Sequence, residues 1–213
     1  MRLVLFDLDG TLIDSEQGIT ASVEHALSTL GAPVPPREAL RDWIGPPLRA
    51  SFPRLLGDDP ARTEQAVALY RERFDAVGWR EHAVYAGIAE VVTQIAAHGA
   101  QLAVVTTKAA PYAQRIVDHL PFGTCFQATY SPAQGSAHSE KATMIAQALA
   151  DFSCASGDAV MIGDRRFDID GAHANHVRAI GVAWGFGSVA ELRAAQADVI
   201  ADAPAQLPAL LRP

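Results

Sequence analysis

Two aspartates, two residues apart, end the first apolar segment of the chain. The segment Leu3–Phe6 is short and favours a strand, and Asp7 and Asp9 follow it directly, with Gly10 next. Because side chains two apart in an extended chain point the same way, both carboxylates face one place, where their charges repel. These residues alone leave two interpretations open: a solvated strand end with Asp as a turn residue, or a site that holds a cation.

Polar side chains also follow two later apolar segments, at residues 102–105 and 159–162. The residues after them are Thr106, Thr107 and Lys108 in one case, and Gly163, Asp164 and, one helical turn on, Asp168 in the other. Lys141 begins a predicted helix beside the same edge. Because ligands bind beyond the carboxyl ends of parallel strands, we expect all these residues to meet the two aspartates at one edge of a sheet.

Lysine occurs at only two positions. Of the 17 basic residues, 15 are arginine, and the lysines are Lys108 and Lys141, both near the predicted edge. The ammonium group is a compact point charge that a guanidinium does not imitate, so both positions are candidates for binding an anion. The alternative is an arginine-rich composition that leaves two lysines by accident.

The residue types at this edge suit phosphoryl transfer. Asp7, Asp164 and the backbone carbonyl of Asp9 could bind Mg²⁺, because hard oxygen ligands suit that ion. One carboxylate can attack phosphorus, and a second can protonate the leaving oxygen and then deprotonate water. A threonine hydroxyl and a lysine ammonium can hold the non-bridging oxygens, and Gly10 lets the backbone turn tightly and approach a phosphate.

Two patterns of apolar residues divide the chain. From residue 84 onward predicted helices and strands alternate, which indicates an α/β fold with a parallel sheet and helices on both faces. Residues 15–83 instead show helical spacing and no convincing strand. The sequence therefore predicts a Rossmann-like core of residues 1–14 and 84–213 and an inserted all-helical domain of residues 15–83. Ser139 is predicted to cap the helix that follows it.

Composition restricts the class of protein. Hydrophobic residues make up 49% of the 213, enough for a sizeable core, yet no apolar run is long enough to span a membrane. A net charge of −7 without a basic stripe argues against nucleic-acid binding. The first 30 residues lack a signal-peptide pattern, and Cys125 and Cys154 have no disulfide-motif or zinc spacing. We therefore expect a cytoplasmic protein that binds neither nucleic acid nor membranes.

Taken in order, these residues resemble the four motifs of the haloacid dehalogenase superfamily over almost the whole chain. The motif residues are Asp7-Leu8-Asp9-Gly10-Thr11, then Thr106, then Lys141, then Gly163-Asp164 with Asp168. Two departures stand out: Ala142 follows Lys141 where many relatives have proline, and Arg165 follows Asp164 where many have serine or threonine. Lys108 therefore competes with Lys141 for the third position.

The resemblance implies a role for each motif. Asp7 would be the nucleophile and Asp9 the general acid/base, with phosphate bound by Thr106 and Lys141. Asp7, Asp164 and the Asp9 carbonyl would hold Mg²⁺, and Asp168 would be a ligand or a partner of one. The helical insertion would be a cap that closes over the site.

The segment "GDRRFDIDGA" resembles a subgroup of phosphoglycolate phosphatases or nucleotidases. The resemblance therefore implies a Mg²⁺-dependent, phosphoglycolate phosphatase-like enzyme, monomer or homodimer, that hydrolyses a small phosphomonoester through an aspartyl-phosphate intermediate. The alternatives are a 5'-nucleotidase or broad-range phosphatase, a phosphomutase similar to the β-phosphoglucomutases, and a non-catalytic binding module. Candidate substrate-binding residues are Gly10, Thr107, Lys108 and Arg49; Arg49 follows a Gly-Pro-Pro bend in the cap, and a solvated helix arginine is its alternative.

Overall fold

The computed structural model of the protein describes residues 1–133 and 140–211. They form two compact units, one of Met1–Ile13 with Val84–Pro213 and the other of Asp14–Ala83. In chain order the strands are β1 (Leu3–Phe6), β2 (Ile13–Asp14), β3 (Ala83–Val84), β4 (Gln101–Val105), β5 (Phe126–Tyr130), β6 (Ala159–Gly163), β7 (Arg178–Val182) and β8 (Val199–Ala201).

The described helices are divided between the units. Those of the inserted unit are α1 (Glu16–Thr29), α2 (Arg37–Leu40), α3 (Leu48–Ser51), α4 (Pro53–Leu56) and α5 (Pro60–Ala76). Those of the first unit are α6 (Ile88–Ala97), α7 (Ala110–His119), α8 (Lys141–Asp151), α9 (Arg166–His173), α10 (Val189–Ala194) and α11 (Leu207–Leu210). Short 3₁₀ helices cover Arg41–Trp43, Gly78–Arg80, Gly123–Cys125, Ser156–Asp158 and Pro204–Gln206.

A six-stranded parallel sheet is the centre of the first unit, in the order β5-β4-β1-β6-β7-β8. Every residue of β1 is buried, as a strand covered on both faces requires. Leu5 packs on one face with Ile145 of α8 and Ile169 of α9. Val4, on the other face, lines a small cavity with Ile95 of α6. The predicted parallel sheet with helices on both faces is confirmed.

The strand order creates a crevice beside β1. The chain runs from β1 to β4 and β5 on one side, then crosses to β6, β7 and β8 on the other. Phe6 at the end of β1 pairs with Val104 and with Ile162. Ligands bind at such a reversal in open α/β sheets, so the residues after β1, β4 and β6 mark the place to look for a site.

The inserted unit is helical. Its two long helices, α1 and α5, pack together, and α5 buries Val67, Tyr70 and Phe74 along one face. The α5 helix begins at Pro60 because Asp59 accepts hydrogen bonds from two backbone amides of its first turn. The short helices α3 and α4 were absent from the sequence-based prediction, and the predicted Ser139 cap lies outside the described residues.

Among the helices of the described ranges, none combines the length and the apolar character needed to cross a lipid bilayer.

Candidate active site

The turn after β1 holds Asp7 at the edge of the sheet. The backbone amide of Asp7 still donates to the Ile162 carbonyl at 2.9 Å, and its Oδ1 accepts from the Leu8 amide at 2.8 Å. Gly10 follows with φ of +84°, in the left-handed region. A Cβ at Gly10 would lie 2.3 Å from Oδ2 of Asp164, so the turn needs glycine for its conformation and for the close approach of that carboxylate.

Three buried carboxylates converge beyond β1 and β6. Asp7, Asp164 and Asp168 each offer an oxygen, and these oxygens all lie within 4.8 Å of one another. Asp7 is 6% exposed and the other two are fully buried. Three acidic groups gathered away from water fit a hard divalent cation, which prefers oxygen ligands. The structure thus brings together the residues that the sequence predicts as metal ligands, with Asp9 two residues after Asp7.

Lys141 lies between two of these carboxylates. Its Nζ is 2.7 Å from Oδ2 of Asp7 and also donates to Oδ1 of Asp168, and its side chain is only 3% exposed. Helix α9 reaches this position because Gly171 leaves room: a Cβ there would lie 2.9 Å from the Cβ of Lys141. Lys141, at the first position of α8, is therefore a buried counter-ion of the acidic group.

Lys108 holds the remaining aspartate. Its Nζ donates to both oxygens of Asp9, at 3.0 and 2.9 Å, and the two side chains are 7% and 13% exposed. Its backbone amide donates to the hydroxyl of buried Thr106 at 3.2 Å. Both lysines of the chain thus contact carboxylates of this group, a pairing that sequence reasoning did not predict.

Burial and crowding raise the pKa values of the carboxyl groups. Burial, together with the charges of Asp168 and Asp9, raises the pKa of Asp7 to about 7 despite the opposing Lys141 charge. Burial and the nearby Asp7 charge raise the pKa of Asp164 to about 6, and burial also raises that of Asp168. Burial acts to lower the pKa of Lys141, but the charges of Asp168 and Asp7 outweigh it and raise that pKa.

The charge balance of the group fits a divalent cation. When ionised, the four carboxylates of Asp7, Asp9, Asp164 and Asp168 exceed the two lysine ammonium groups by two negative charges. That excess matches the charge of one divalent cation. Without a cation, the buried carboxyl groups with raised pKa values would bind protons near neutral pH. A cation at this position would keep them ionised.

A glycine-rich turn after β7 fixes Asp164. The backbone amides of Phe186 and Gly187 donate to its Oδ2 at 2.8 and 3.2 Å, and the Thr11 hydroxyl lies 3.4 Å from its Oδ1. A Cβ at Gly185 would fall 2.3 Å from the Gly10 carbonyl oxygen. Sequence reasoning missed this turn. Its signal is the pair of glycines in Trp-Gly-Phe-Gly, which begins two residues after the end of a buried strand.

A backbone amide at the start of α9 likewise orients Asp168. The Arg165 amide donates to its Oδ2 at 3.0 Å, while Lys141 occupies Oδ1. A Cβ at Gly163 would fall 2.1 Å from the Asp168 carboxyl carbon, so glycine is required where β6 ends. Arg165 itself contacts Glu191, 3.0 Å away.

Thr107 and Arg49 are the two remaining residues predicted to bind substrate. Thr107 follows Thr106 in the turn after β4 and is partly buried. Arg49 belongs to α3 in the inserted unit, where its Nε and a terminal nitrogen contact the Glu64 carboxylate at 2.5 and 2.8 Å. Its role in specificity stays a prediction.

Comparison with known proteins identifies the family. The model of the family described as haloacid dehalogenase-like hydrolase matches residues 4–182. The chain belongs to the haloacid dehalogenase-like hydrolases. Asp7, Asp9, Asp164 and Asp168 all lie within the matched range, as do both lysines.

Relatives of this hydrolase carry several names. A protein of Pseudomonas aeruginosa named 5'-nucleotidase is 42% identical over 193 residues, which cover 91% of this chain and 87% of that protein. Tyrosine-protein kinase PtkA of Mycobacterium tuberculosis is 36% identical over 187 residues, 87% of this chain but 63% of that protein. Phosphoglycolate phosphatase of Pseudomonas putida is 30% identical over 195 residues, 87% of this chain and 70% of that protein.

The fold of the hydrolase is also that of solved relatives. A predicted phosphatase from Clostridium acetobutylicum superposes with a TM-score of 0.91 at 36% identity, over 99% of this chain and 97% of that one.

Proposed function

We propose that this hydrolase is a Mg²⁺-dependent phosphatase that cleaves a small phosphomonoester through an aspartyl-phosphate intermediate. The observation that carries the proposal is the buried group of Asp7, Asp164 and Asp168, which lies beside Asp9 where the strand order reverses; Lys141 contacts Asp7 and Asp168. It combines oxygen ligands for a divalent cation, a carboxylate nucleophile and a second carboxylate for proton transfer.

The first proposed step forms the intermediate. A carboxylate oxygen of Asp7 attacks phosphorus, and the bond between phosphorus and the ester oxygen breaks. Protonated Asp9 gives its proton to the leaving oxygen, so an alcohol departs and Asp7 carries the phosphoryl group. Thr106, buried at the end of β4, supplies a hydroxyl for a non-bridging oxygen.

The second proposed step restores the enzyme. Asp9, now a carboxylate, takes a proton from a water molecule whose oxygen attacks phosphorus. The bond between phosphorus and the Asp7 oxygen breaks, which releases inorganic phosphate and regenerates the Asp7 carboxylate. The sum of both steps is ester plus water to alcohol plus phosphate, and Asp9 is protonated again.

Asp7, Asp164 and Asp168, with the Asp9 carbonyl, would hold Mg²⁺, which when bound neutralises charge on the phosphoryl oxygens. Lys141 would keep the Asp7 and Asp168 carboxylates in place while the acidic group carries its cation. The turn after β7 would present Asp164 in one orientation, because two amides occupy its Oδ2.

Two substrate classes are supported unequally by the relatives. The 42% identical protein named 5'-nucleotidase favours a nucleoside monophosphate, and the 30% identical phosphoglycolate phosphatase favours phosphoglycolate, the class expected from the sequence. We include both, because the residues of the proposed mechanism act on the phosphoryl group, which the two substrate classes share.

The test is release of inorganic phosphate from a panel that contains phosphoglycolate, 5'-nucleotides, sugar phosphates and an aryl phosphate, with Mg²⁺ or EDTA. We expect release of inorganic phosphate that requires Mg²⁺ and that is lost in the Asp7→Asn variant. Asp118→Asn, an exposed substitution on α7, is the matched control. Release that survives EDTA or Asp7→Asn would contradict the proposal, and phosphate transfer between sugar positions without release would favour the phosphomutase.

A further inference from the structure

We propose that Lys108 is a positioning residue for Asp9, holding that carboxylate in the orientation from which it transfers protons; the inference rests on the proposed phosphatase function. One ammonium contacts both carboxylate oxygens, at 3.0 and 2.9 Å. The near-equal distances hold the carboxylate against rotation about the Cα–Cβ bond of Asp9, and when Asp9 is protonated its other oxygen can still accept from Lys108.

The sheet fixes both ends of this contact. Asp9 lies three residues beyond the end of β1, and Lys108 lies three residues beyond the end of β4. These strands are neighbours in register, with Phe6 opposite Val104. The Lys108 amide is further tied to the Thr106 hydroxyl at 3.2 Å. The lysine therefore starts from a rigid point, and its long side chain has little freedom left.

Burial makes the contact stronger than an exposed ion pair. The Lys108 side chain is 7% exposed and that of Asp9 is 13% exposed, so salt and water screen the pair only partly. The four-carbon stem of Lys108 is held there at a cost in rotamer freedom. Such a cost is consistent with a need for one particular geometry at Asp9.

The two lysines divide the carboxylates between them. Lys141 contacts Asp7 and Asp168, the proposed nucleophile and a metal ligand, whereas Lys108 contacts Asp9. Proton transfer to the leaving group requires an Asp9 oxygen within about 3 Å of the leaving oxygen. A carboxyl group that moves between rotamers meets this requirement only part of the time. Loss of Lys108 should therefore slow the first step most for esters whose leaving group needs a proton.

The experiment compares Lys108→Met, which removes the charge at similar length, with Lys108→Arg, which keeps a charge. For both, KM and the single-turnover rate of leaving-group release, which reports the first step alone, are measured with Mg²⁺ on an alkyl phosphate and on 4-nitrophenyl phosphate, whose leaving group departs without a proton. We expect this rate to fall in Lys108→Met by a factor that is about tenfold or more larger for the alkyl ester than for the aryl ester, and Lys108→Arg to restore part of it. In an Asp9→Asn background, Lys108→Met should reduce the rate little further.

Other kinetic outcomes would overturn the inference. Equal losses for both esters, expressed in KM, would assign Lys108 to substrate binding. Equal losses of the single-turnover rate, with or without a lower melting temperature, would show that Lys108 does not act through proton donation by Asp9.

A second measurement separates this inference from the proposed function. In crystals of the wild type, Asp9 should adopt one rotamer against Lys108, and in crystals of Lys108→Met it should adopt several. An unchanged single rotamer in the variant would overturn the positioning role, whatever the activity. Failure of the wild type to release phosphate from any ester would overturn the phosphatase proposal, while the crystal comparison would still decide what Lys108 does.

Discussion

At the residue scale, Lys141 is a buried counter-ion of two carboxylates, and its role in binding phosphate stays a prediction. Its ammonium lies against Asp7 and Asp168, and its side chain is almost fully buried. A buried charge is stabilised by partners that are themselves buried charges, so removal of one member leaves the others uncompensated. Lys141 thus contributes to stability and to the site at once, before any phosphate arrives.

Substitution of Lys141 measures its contribution to stability. Lys141→Met should lower the free energy of unfolding in EDTA by about 3–5 kcal/mol, because two buried carboxylates lose their counter-ion. The measurement is urea unfolding. Lys141→Met combined with Asp168→Asn is the control, and it should lose less than Lys141→Met alone. Equal stability of Lys141→Met and wild type would contradict the described ion pairs.

At the scale of elements, the turn after β7 determines how Asp164 faces a cation. A Cβ at Gly185 would fall 2.4 Å from the Cβ of Asp164, so Gly185→Ala must displace that side chain or the turn itself. We expect Gly185→Ala to weaken Mg²⁺ binding about 10- to 100-fold, the usual effect of disturbing groups that orient metal ligands. Calorimetric Mg²⁺ titration of the substrate-free protein measures it.

Gly157→Ala is the matched control for that titration, since a Cβ there would meet nothing within 4 Å. It should bind Mg²⁺ as the wild type does. If Gly185→Ala and Gly157→Ala bound the ion equally well, the turn would have no part in presenting Asp164.

The short helix α3 carries the specificity prediction for the inserted unit. Arg49→Ala should reduce kcat/KM for phosphoglycolate more than for an aryl phosphate if the guanidinium contacts the distal part of the substrate. Glu64→Ala is the control, because it removes the ion pair described for Arg49 but keeps the guanidinium. Equal losses on both esters, or none, would remove Arg49 from specificity.

The sequence predicts best the strands that are buried along all or nearly all of their length. β1 and β4 are apolar runs because helices cover both faces of the sheet. The place of the carboxylates after β1 and β6 follows from where these strands end. Helices α3 and α4 have four residues each and lie among prolines, too short for a helical period to show.

The contacts within the site were harder to predict for a different reason. Lys108 and Asp9 are 99 residues apart, so only the pairing of β1 with β4 brings them together. Asp164 is oriented by backbone amides of Phe186 and Gly187, which carry no side-chain signal. The sequence identified the groups that do chemistry, and the fold determined which group each lysine serves.

For the whole molecule, the raised pKa values connect stability, pH and Mg²⁺. Asp7 and Asp164 ordinarily have a pKa of 3.8, and the fold raises these values to about 7 and about 6. The folded state therefore favours the protonated form of both carboxyl groups. This stabilisation is complete below pH 3.8 and is lost as the pH rises through about 6 and about 7. In EDTA the melting temperature should therefore fall between about pH 4 and pH 7.

Saturating Mg²⁺ should oppose that fall, because the ion binds the ionised carboxylates and its stabilisation grows over the same pH range. Melting temperatures measured across this pH range, with EDTA and with Mg²⁺, test both effects. In EDTA the melting temperature of Asp7→Asn should fall less with pH than that of the wild type. A melting temperature that rises with pH in EDTA would contradict the assigned pKa directions.

The proposed mechanism requires Asp7 to carry the phosphoryl group during turnover. The most direct measurement is acid quenching of the enzyme during turnover of its best substrate with Mg²⁺, followed by mass spectrometry of the peptide that contains Asp7 and Asp9. We expect a phosphoryl adduct on Asp7 that is absent from Asp7→Asn and accumulates in Asp9→Asn with an aryl phosphate, because water activation is then slowed. Turnover without an adduct in wild type and Asp9→Asn, or an adduct on another residue, would contradict it.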